Sequence, residues 1–376
     1  MGNSFTIFRV RGIDIRVHVT FPLILIWSAL QFGLFSDGGT SGAAFGILAT
    51  LLLFAIVVMH ELGHSFAAQH YGVSVKQIVL LPIGGVAQLA RIPEKPVQEL
   101  VIAIAGPLVN FILAIVLTLV GLGIGVSVGL DSMISEMGGF SPLGLFSYIF
   151  TSNLFLGLFN LLPAFPMDGG RVLRALMALK LDYARATSIA VAIGQGMAWL
   201  LGLWGFLQGN LFLIFIAVFI YMGAGYEGQT VQLRKILGGL SVDQAYSRDL
   251  GVLHRDATLR EAIALTLNTF QADFPVCDGE KLVGIITHTR LVEALSRYGP
   301  DVPLEQVMIK DFNPVKPDAG LFDVQQVLSK NRLDALPVVG EDGRFLGLIT
   351  VGDINEIYRM VSIRSDVFPL VTARSE

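Results

Sequence analysis

His60-Glu61-Leu62-Gly63-His64 closes a run of more than forty residues, Val17 to Met59, whose only formally charged side chain is Asp37. On a helix, His-Glu-x-x-His puts two imidazoles at i and i+4 on one face with a carboxylate beside the first, an arrangement that suits a zinc ion and a general base. Two satisfied histidines near a helix surface would account for the pattern equally well in a soluble protein. Here the ionisable groups sit where a charge at a helix centre costs about 2.5–3.5 kcal/mol on insertion scales, and their idle presence is disfavoured.

Working outward from this run, the chain of 376 residues is 53% apolar and 15% charged, with a mean hydropathy of +0.67. That balance excludes an ordinary soluble enzyme. A single cysteine, Cys277, excludes an intramolecular disulfide framework and a Cys-based zinc site, so a metal here takes nitrogen and oxygen ligands. No basic tract points to nucleic acid.

Six segments meet the length of a membrane helix, near 17–35, 42–68, 98–126, 143–162, 186–207 and 209–226. Arg9, Arg11 and Arg16 precede the first, and with no small-residue cleavage site after it the segment reads as a retained anchor. Lys and Arg recur in alternate loops: Lys76, Arg91 and Lys95; Arg171, Arg174, Lys180 and Arg185; Arg234 and Lys235. The intervening loops, Ser36 to Ser41, Ser127 to Ser141 and Gln208 to Asn210, have none, which places both termini in the cytoplasm and requires an even number of spans. The same topology brings His60, His64 and residues 163–170 to the cytoplasmic side. Between spans two and three, residues 75–89 read as strand, Gly84-Gly85 turn, strand. This hairpin either lies in the interface or dips in beside the site with an edge open to an extended peptide.

A catalytic zinc usually takes three protein ligands. Beyond His60 and His64, the best third candidate is Asp168 in Asn160-Leu161-Leu162-Pro163-Ala164-Phe165-Pro166-Met167-Asp168-Gly169-Gly170, where flanking prolines and glycines free the backbone to aim the carboxylate. Alternatively Asp168 caps the helix that follows. Zn²⁺ with two neutral imidazoles and the carboxylates of Asp168 and Glu61 sums to zero charge, which eases burial. Such a centre hydrolyses a peptide bond with Glu61 as the base. A transmembrane substrate must first unwind, because its helix ties up the amides. His18, His70, His254 and His288 are not assigned to the metal.

After Leu240 the composition is that of a soluble domain, with a repeat of about 63 residues. Phe274-Pro275-Val276 and Gly284-Ile285-Ile286-Thr287 in the first copy match Leu336-Pro337-Val338 and Gly347-Leu348-Ile349-Thr350 in the second. Each copy reads helix, strand, turn, strand, helix.

The helical His60-Glu61-Leu62-Gly63-His64, the Gly-Gly hairpin, Gly106-Pro107-x-x-Asn110 and Asn160-x-x-Pro163-x-x-Pro166-x-Asp168-Gly169 resemble the site-2 protease family of intramembrane zinc metalloproteases. The terminal repeats resemble tandem cystathionine-β-synthase (CBS) modules. The resemblance implies a three-span catalytic core with His60, His64 and Asp168 as zinc ligands, Glu61 as base, and Asn160 positioning substrate or stabilising the oxyanion. Spans one and six would part to admit the substrate. Asn110 is read as structural, letting the third span pack closely through Gly106. The CBS pair implies binding of ATP, ADP or AMP, with Thr287, Thr350 and Asp353 as candidate contacts; Arg290 stands where the first copy would carry an Asp and would instead meet phosphate.

The fold class expected is therefore a polytopic α-helical membrane protein, six transmembrane helices with a short β-hairpin insertion, plus a soluble α/β tandem CBS domain. Its boundaries are 1–236 for the membrane metalloprotease domain (core about 42–170), 240–299 and 303–362 for the CBS repeats, and 363–376 for a tail. The expected function is intramembrane proteolysis of single-span or membrane-anchored proteins in a prokaryotic plasma membrane, in contact with lipid, with homodimerisation through the CBS modules. The alternatives are a CBS-regulated metal-ion transporter or channel, and a non-catalytic scaffold.

Overall fold

The computed structural model describes residues 4–89, 95–126, 129, 133, 134, 136, 139–269, 271–279, 281–331 and 333–363. The chain divides into two compact units, Met1–Gly228 and Gln229–Glu376.

The first unit opens with a hairpin, β1 (Ser4–Val10) and β2 (Ile13–His18). Arg11 and Gly12 join the strands with φ of 47° and 83°, the paired positive φ that a tight hairpin turn demands. Residues 13–18 alternate strictly, burying Ile13 and Ile15 and turning Asp14 and Arg16 to the other face. The basic flank is thus no loose approach to an anchor: Arg9 pairs with Asp14, and Arg16 donates to Gln77. The hairpin extends β3 (Val75–Leu81) and β4 (Gly84–Leu89) into a four-stranded sheet, order β1-β2-β3-β4, with β2 and β3 parallel and the other pairs antiparallel.

Two helices cross from β2 to β3. The first, α1 (Pro22–Gly33), has 12 residues, about 18 Å, where the sequence led us to expect a full span. It is short because Val17 and His18 are taken by β2. The second, α2 (Gly39–His70), has 32 residues and carries His60 and His64 within about three turns of its C-terminal end. Gly42 and Gly46 let the α1 backbone come close, and Ser28 Oγ donates to the Gly46 carbonyl while accepting from Thr50 Oγ1, each at 2.7 Å. Four further helices complete the bundle: α3 (Pro96–Gly123), α4 (Pro142–Asn160), α6 (Tyr183–Leu207) and α7 (Leu211–Leu237), with the 11-residue α5 (Asp168–Ala178) between α4 and α6. Among the described residues α2, α3, α4, α6 and α7 are long and apolar enough to cross a membrane, and α1 is a shorter apolar helix. Trp199, Phe206, Leu207, Phe212 and Phe215 point outward, as expected of helices bathed in lipid.

The sheet packs on the bundle rather than beside it. Ile13, Ile15, Ile78 and Leu80 share one core with Phe54, Val58 and Ala68 of α2 and Ile102 of α3. A second tie is polar. Arg174 of α5 is fully buried, donating from Nε and Nη2 to Glu99 of α3 and from Nη1 to Glu227 of α7, with the rings of Phe165 and Tyr183 at 4.9 and 5.0 Å from its guanidinium carbon. Four helices and the segment before α5 thereby meet at one cation.

In the second unit each CBS-like repeat is a small α/β layer. The first holds β5 (Leu253–His254), α8 (Leu259–Asn268), β6 (Phe274–Asp278), β7 (Lys281–Ile286) and α9 (His288–Tyr298); the short α10 (Leu304–Val307) follows. The second holds α11 (Leu321–Asn331), β8 (Ala335–Val339), β9 (Phe345–Thr350) and α12 (Val351–Ile363). The linear boundaries of the repeats are crossed in space. Leu240 and Val242 pack in the core of the second repeat, held by hydrogen bonds to Ala319 and Leu321, whereas Leu304 and Val307 pack in the core of the first. Beyond Ile363 the expected tail lies outside the described residues.

Removing Arg174 strands two carboxylates, of which Glu99 is only 2% exposed. Arg174→Met should cost about 3–5 kcal/mol of stability. Glu227→Gln should cost less, since that side chain is 23% exposed and keeps a hydrogen bond; thermal unfolding of the detergent-solubilised protein checks both the size and the order.

Candidate metal centre

His60 and His64 lie one turn apart on α2, and their Nε2 atoms are 3.1 Å from each other. Asp168 Oδ2 lies 3.2 Å from His60 Nε2 and 3.1 Å from His64 Nε2. All three residues are buried, and each offers one donor atom toward a common point, within 4.8 Å of the others. Two imidazole nitrogens and a carboxylate oxygen are the donor set of a catalytic zinc site with a position left for water.

Backbone geometry sets the carboxylate. Met167, not Asp168, occupies the N-cap position of α5, and no side chain caps that helix. Asp168 is the first residue inside it, with its carboxylate on the histidines. Gly169 and Gly170 allow this tight entry: a Cβ on either would fall within 2.6 Å of backbone atoms of Leu161, Leu162 or Phe165.

The other imidazole nitrogen of each histidine is also engaged. His64 Nδ1 bonds to the Ile102 carbonyl at 2.7 Å, and His60 Nδ1 to Asn110 Oδ1 at 2.5 Å. Because a backbone carbonyl only accepts, His64 carries its proton on Nδ1 and turns a lone pair on Nε2 toward the site. Asn110 thus touches a candidate ligand, a role beyond the close packing its motif suggested. The spacing Gly106-x-x-x-Asn110 was the available signal: on α3 it puts a small residue and an amide on one face, one turn apart. Gly106 provides the room, since a Cβ there would lie 2.2 Å from His64 Nε2.

Glu61 projects from the adjacent position toward the sheet. Gly85, at the start of β4, lies against its side chain, with an added Cβ only 2.9 Å from Glu61 Cγ. The hairpin of residues 75–89 is therefore beside the histidine motif, and β4 is one of the two edge strands of its sheet among the described residues. Asn160, the last residue of α4, is half-buried and donates to the Leu156 carbonyl at 3.0 Å; it is not one of the converging donors.

The three CBS candidates fall in two clefts. Thr350 and Asp353 line a cleft of about 890 Å³ with Asp273, His288, Asp334 and Arg359. The Asp353 carboxylate accepts from Thr350 Oγ1 and N at 2.8 Å and from Ser247 Oγ at 2.9 Å. Burial, with Asp334 and Asp353 adding to it, pushes the Asp273 carboxyl above the ordinary range against the opposing hydrogen bond from the His288 amide. Thr287 belongs to a smaller cleft of about 150 Å³ and caps α9 by accepting from the Arg290 amide. There the Arg290 guanidinium donates to the Val307 carbonyl, so it is committed to its own repeat.

Gly106→Ala should displace the His64 ring and lower zinc content sharply, a loss read by metal analysis of the purified protein, while the fold elsewhere stays intact by circular dichroism.

Sequence comparisons bear on this centre directly. Peptidase family M50 matches residues 48–201, and the CBS domain matches residues 242–297 and 304–359. Zinc metalloprotease MJ0392 of Methanocaldococcus jannaschii is 33% identical over 98% of this chain and 99% of its own length. The solved site-2 protease from the same organism is 41% identical and aligns with 60% of this chain and 95% of its own, with a TM-score of 0.44. With its His-Glu-x-x-His helix inside the matched region and a relative similar from end to end, the chain belongs to peptidase family M50 and carries a pair of CBS domains.

Proposed function

We propose that this integral membrane protein is a zinc metalloprotease that cuts peptide bonds in or near transmembrane segments, with His60, His64 and Asp168 as metal ligands and Glu61 as the base. The convergence of two imidazole nitrogens and one carboxylate oxygen from α2 and α5, 104 to 108 residues apart in sequence, carries the reading. Zinc bound there supplies a Lewis acid that polarises a carbonyl and acidifies water. Glu61 takes the water's proton on its carboxylate and passes it to the departing amine. Asn160, at the end of α4, is proposed to reach the substrate by releasing its bond to Leu156.

Substrate presentation follows from β4. A helical substrate must break its own i to i−4 bonds to expose a carbonyl, and an edge strand offers replacement partners for the amides so released. A peptide laid along β4 passes Glu61 at Gly85. The cytoplasmic orientation of both termini in a prokaryotic plasma membrane, from the positive-inside pattern, would put cleavage near the cytoplasmic face of single-span or membrane-anchored substrates, held in lipid. The CBS pair, domain 240–299 with 303–362 and self-associating into a homodimer, is proposed to sense adenine nucleotide in the cleft of Thr350 and Asp353, with Thr287 contributing to the smaller one.

Three outcomes test these statements. Glu61→Gln should keep zinc and lose cleavage of a single-span substrate; retained metal transport with no chelator-sensitive cleavage across a broad substrate panel would favour a transporter instead. Helix-breaking residues near the scissile bond should raise the cleavage rate, and equal cutting of a uniformly Leu-rich helix would count against unwinding. Asp353→Ala should weaken AMP or ATP binding to the full chain by about tenfold or more in equilibrium dialysis.

A further inference from the structure

The hydrogen bonds behind His60 run in one direction, and their direction is set at a backbone carbonyl. Asn153 Nδ2 donates to the carbonyl of Asn110 at 2.8 Å. That oxygen only accepts, so the Asn153 amide has one permitted orientation, with Oδ1 facing the Asn110 side chain. Asn110 Nδ2 donates to this Oδ1 at 2.9 Å, which leaves Asn110 Oδ1 for His60. His60 Nδ1, at 2.5 Å from that oxygen, must therefore carry the ring proton. Both asparagines are buried, at 1% and 0% exposure, so water does not compete for their amides.

We propose that Asn153 is a positioning residue for the zinc ligand His60: it locks the Asn110 amide so that His60 is held as the Nδ1–H tautomer with its Nε2 lone pair on the metal. The inference rests on His60 being a ligand. An asparagine has two unlike ends, and a flipped Asn110 would turn an NH₂ toward His60. That group would demand a lone pair on Nδ1, drive the proton to Nε2 and remove the donor from the metal. Asn153 prevents the flip without touching the histidine. Gly157, one turn further along α4, permits the approach, since a Cβ there would sit 3.0 Å from Asn110 Cβ.

The test measures zinc affinity of the full chain in detergent by competition with a chromogenic chelator. Asn153→Leu should weaken zinc binding by roughly 10–100-fold, the usual cost of losing an outer partner of a metal ligand. Adding Asn110→Asp to that variant should restore it, because a carboxylate accepts from His60 with either oxygen and needs no orienting. Rescue is the reading that a merely structural role would not produce. Unchanged affinity in Asn153→Leu overturns the proposal, as does a double variant that folds and stays as weak as the single one. Should Asn153→Leu fail to fold, Asn153→Ala, which adds no bulk, is read the same way with the same rescue. His60→Ala serves as the control: unchanged zinc affinity in that variant would overturn the ligand assignment itself, whereas loss there with none in Asn153→Leu overturns the lock alone.

Discussion

Within an apolar helical bundle a polar group must find its partner in the chain, because the surroundings offer none. That requirement governs how the helices of this protein come together. His60 and His64 need an acceptor for the proton on Nδ1 and a shared metal for the lone pair on Nε2; the acceptors come from α3, and the carboxylate that would share the metal comes from α5. Each hydrogen bond fixes the rotation of a helix about its axis as well as its distance. Packing of Leu and Ile alone tolerates slippage that these contacts do not.

Close approach is the condition for such contacts, and small residues create it. Gly63 faces the backbone of Ala105, Gly106 faces the ring of His64, and Gly157 faces Asn110. Three glycines on three helices thus surround the centre. Membrane helices gain little from the hydrophobic effect between themselves, so the van der Waals contact and hydrogen bonds allowed by small side chains carry the association. Arg174 does comparable work at the other end of α5, where Glu99, Glu227 and two aromatic rings surround a cation with no exposure to solvent. Asp168 stands on the same short helix, six residues earlier, so α5 links the two polar clusters.

The second unit, with its pair of CBS domains, packs by a different rule. Its repeats are small, and each completes its core with a segment that precedes or follows the other: Leu240 and Val242 go to the second, Leu304 and Val307 to the first. Apolar surface that a lone repeat would leave in water is covered in this way. The two clefts that result are unequal, about 890 and 150 Å³, so the sequence repeat does not produce equivalent sites.

Much of the fold was legible in the sequence because its signals are local. The i, i+4 histidines, the apolar runs, the Gly84-Gly85 hairpin and the repeated Gly-Ile/Leu-Ile-Thr blocks each declare themselves within a few residues. The N-terminal hairpin was equally local, in the alternation of residues 13–18, but three arginines before an apolar run suggested an anchor, and the first span shrank to the 12 residues of α1 once β2 had claimed Val17 and His18. Which way an amide points could not be read from any window. The orientation of Asn110 depends on Asn153, 43 residues away, and on a carbonyl that accepts but never donates. Sequence by itself determined which donors the chain owns and the helix that pairs two of them. Tertiary structure alone decided which third carboxylate joins them and which nitrogen of His60 holds the proton, since hydrogen bonds between distant segments have direction and distance that periodicity does not encode.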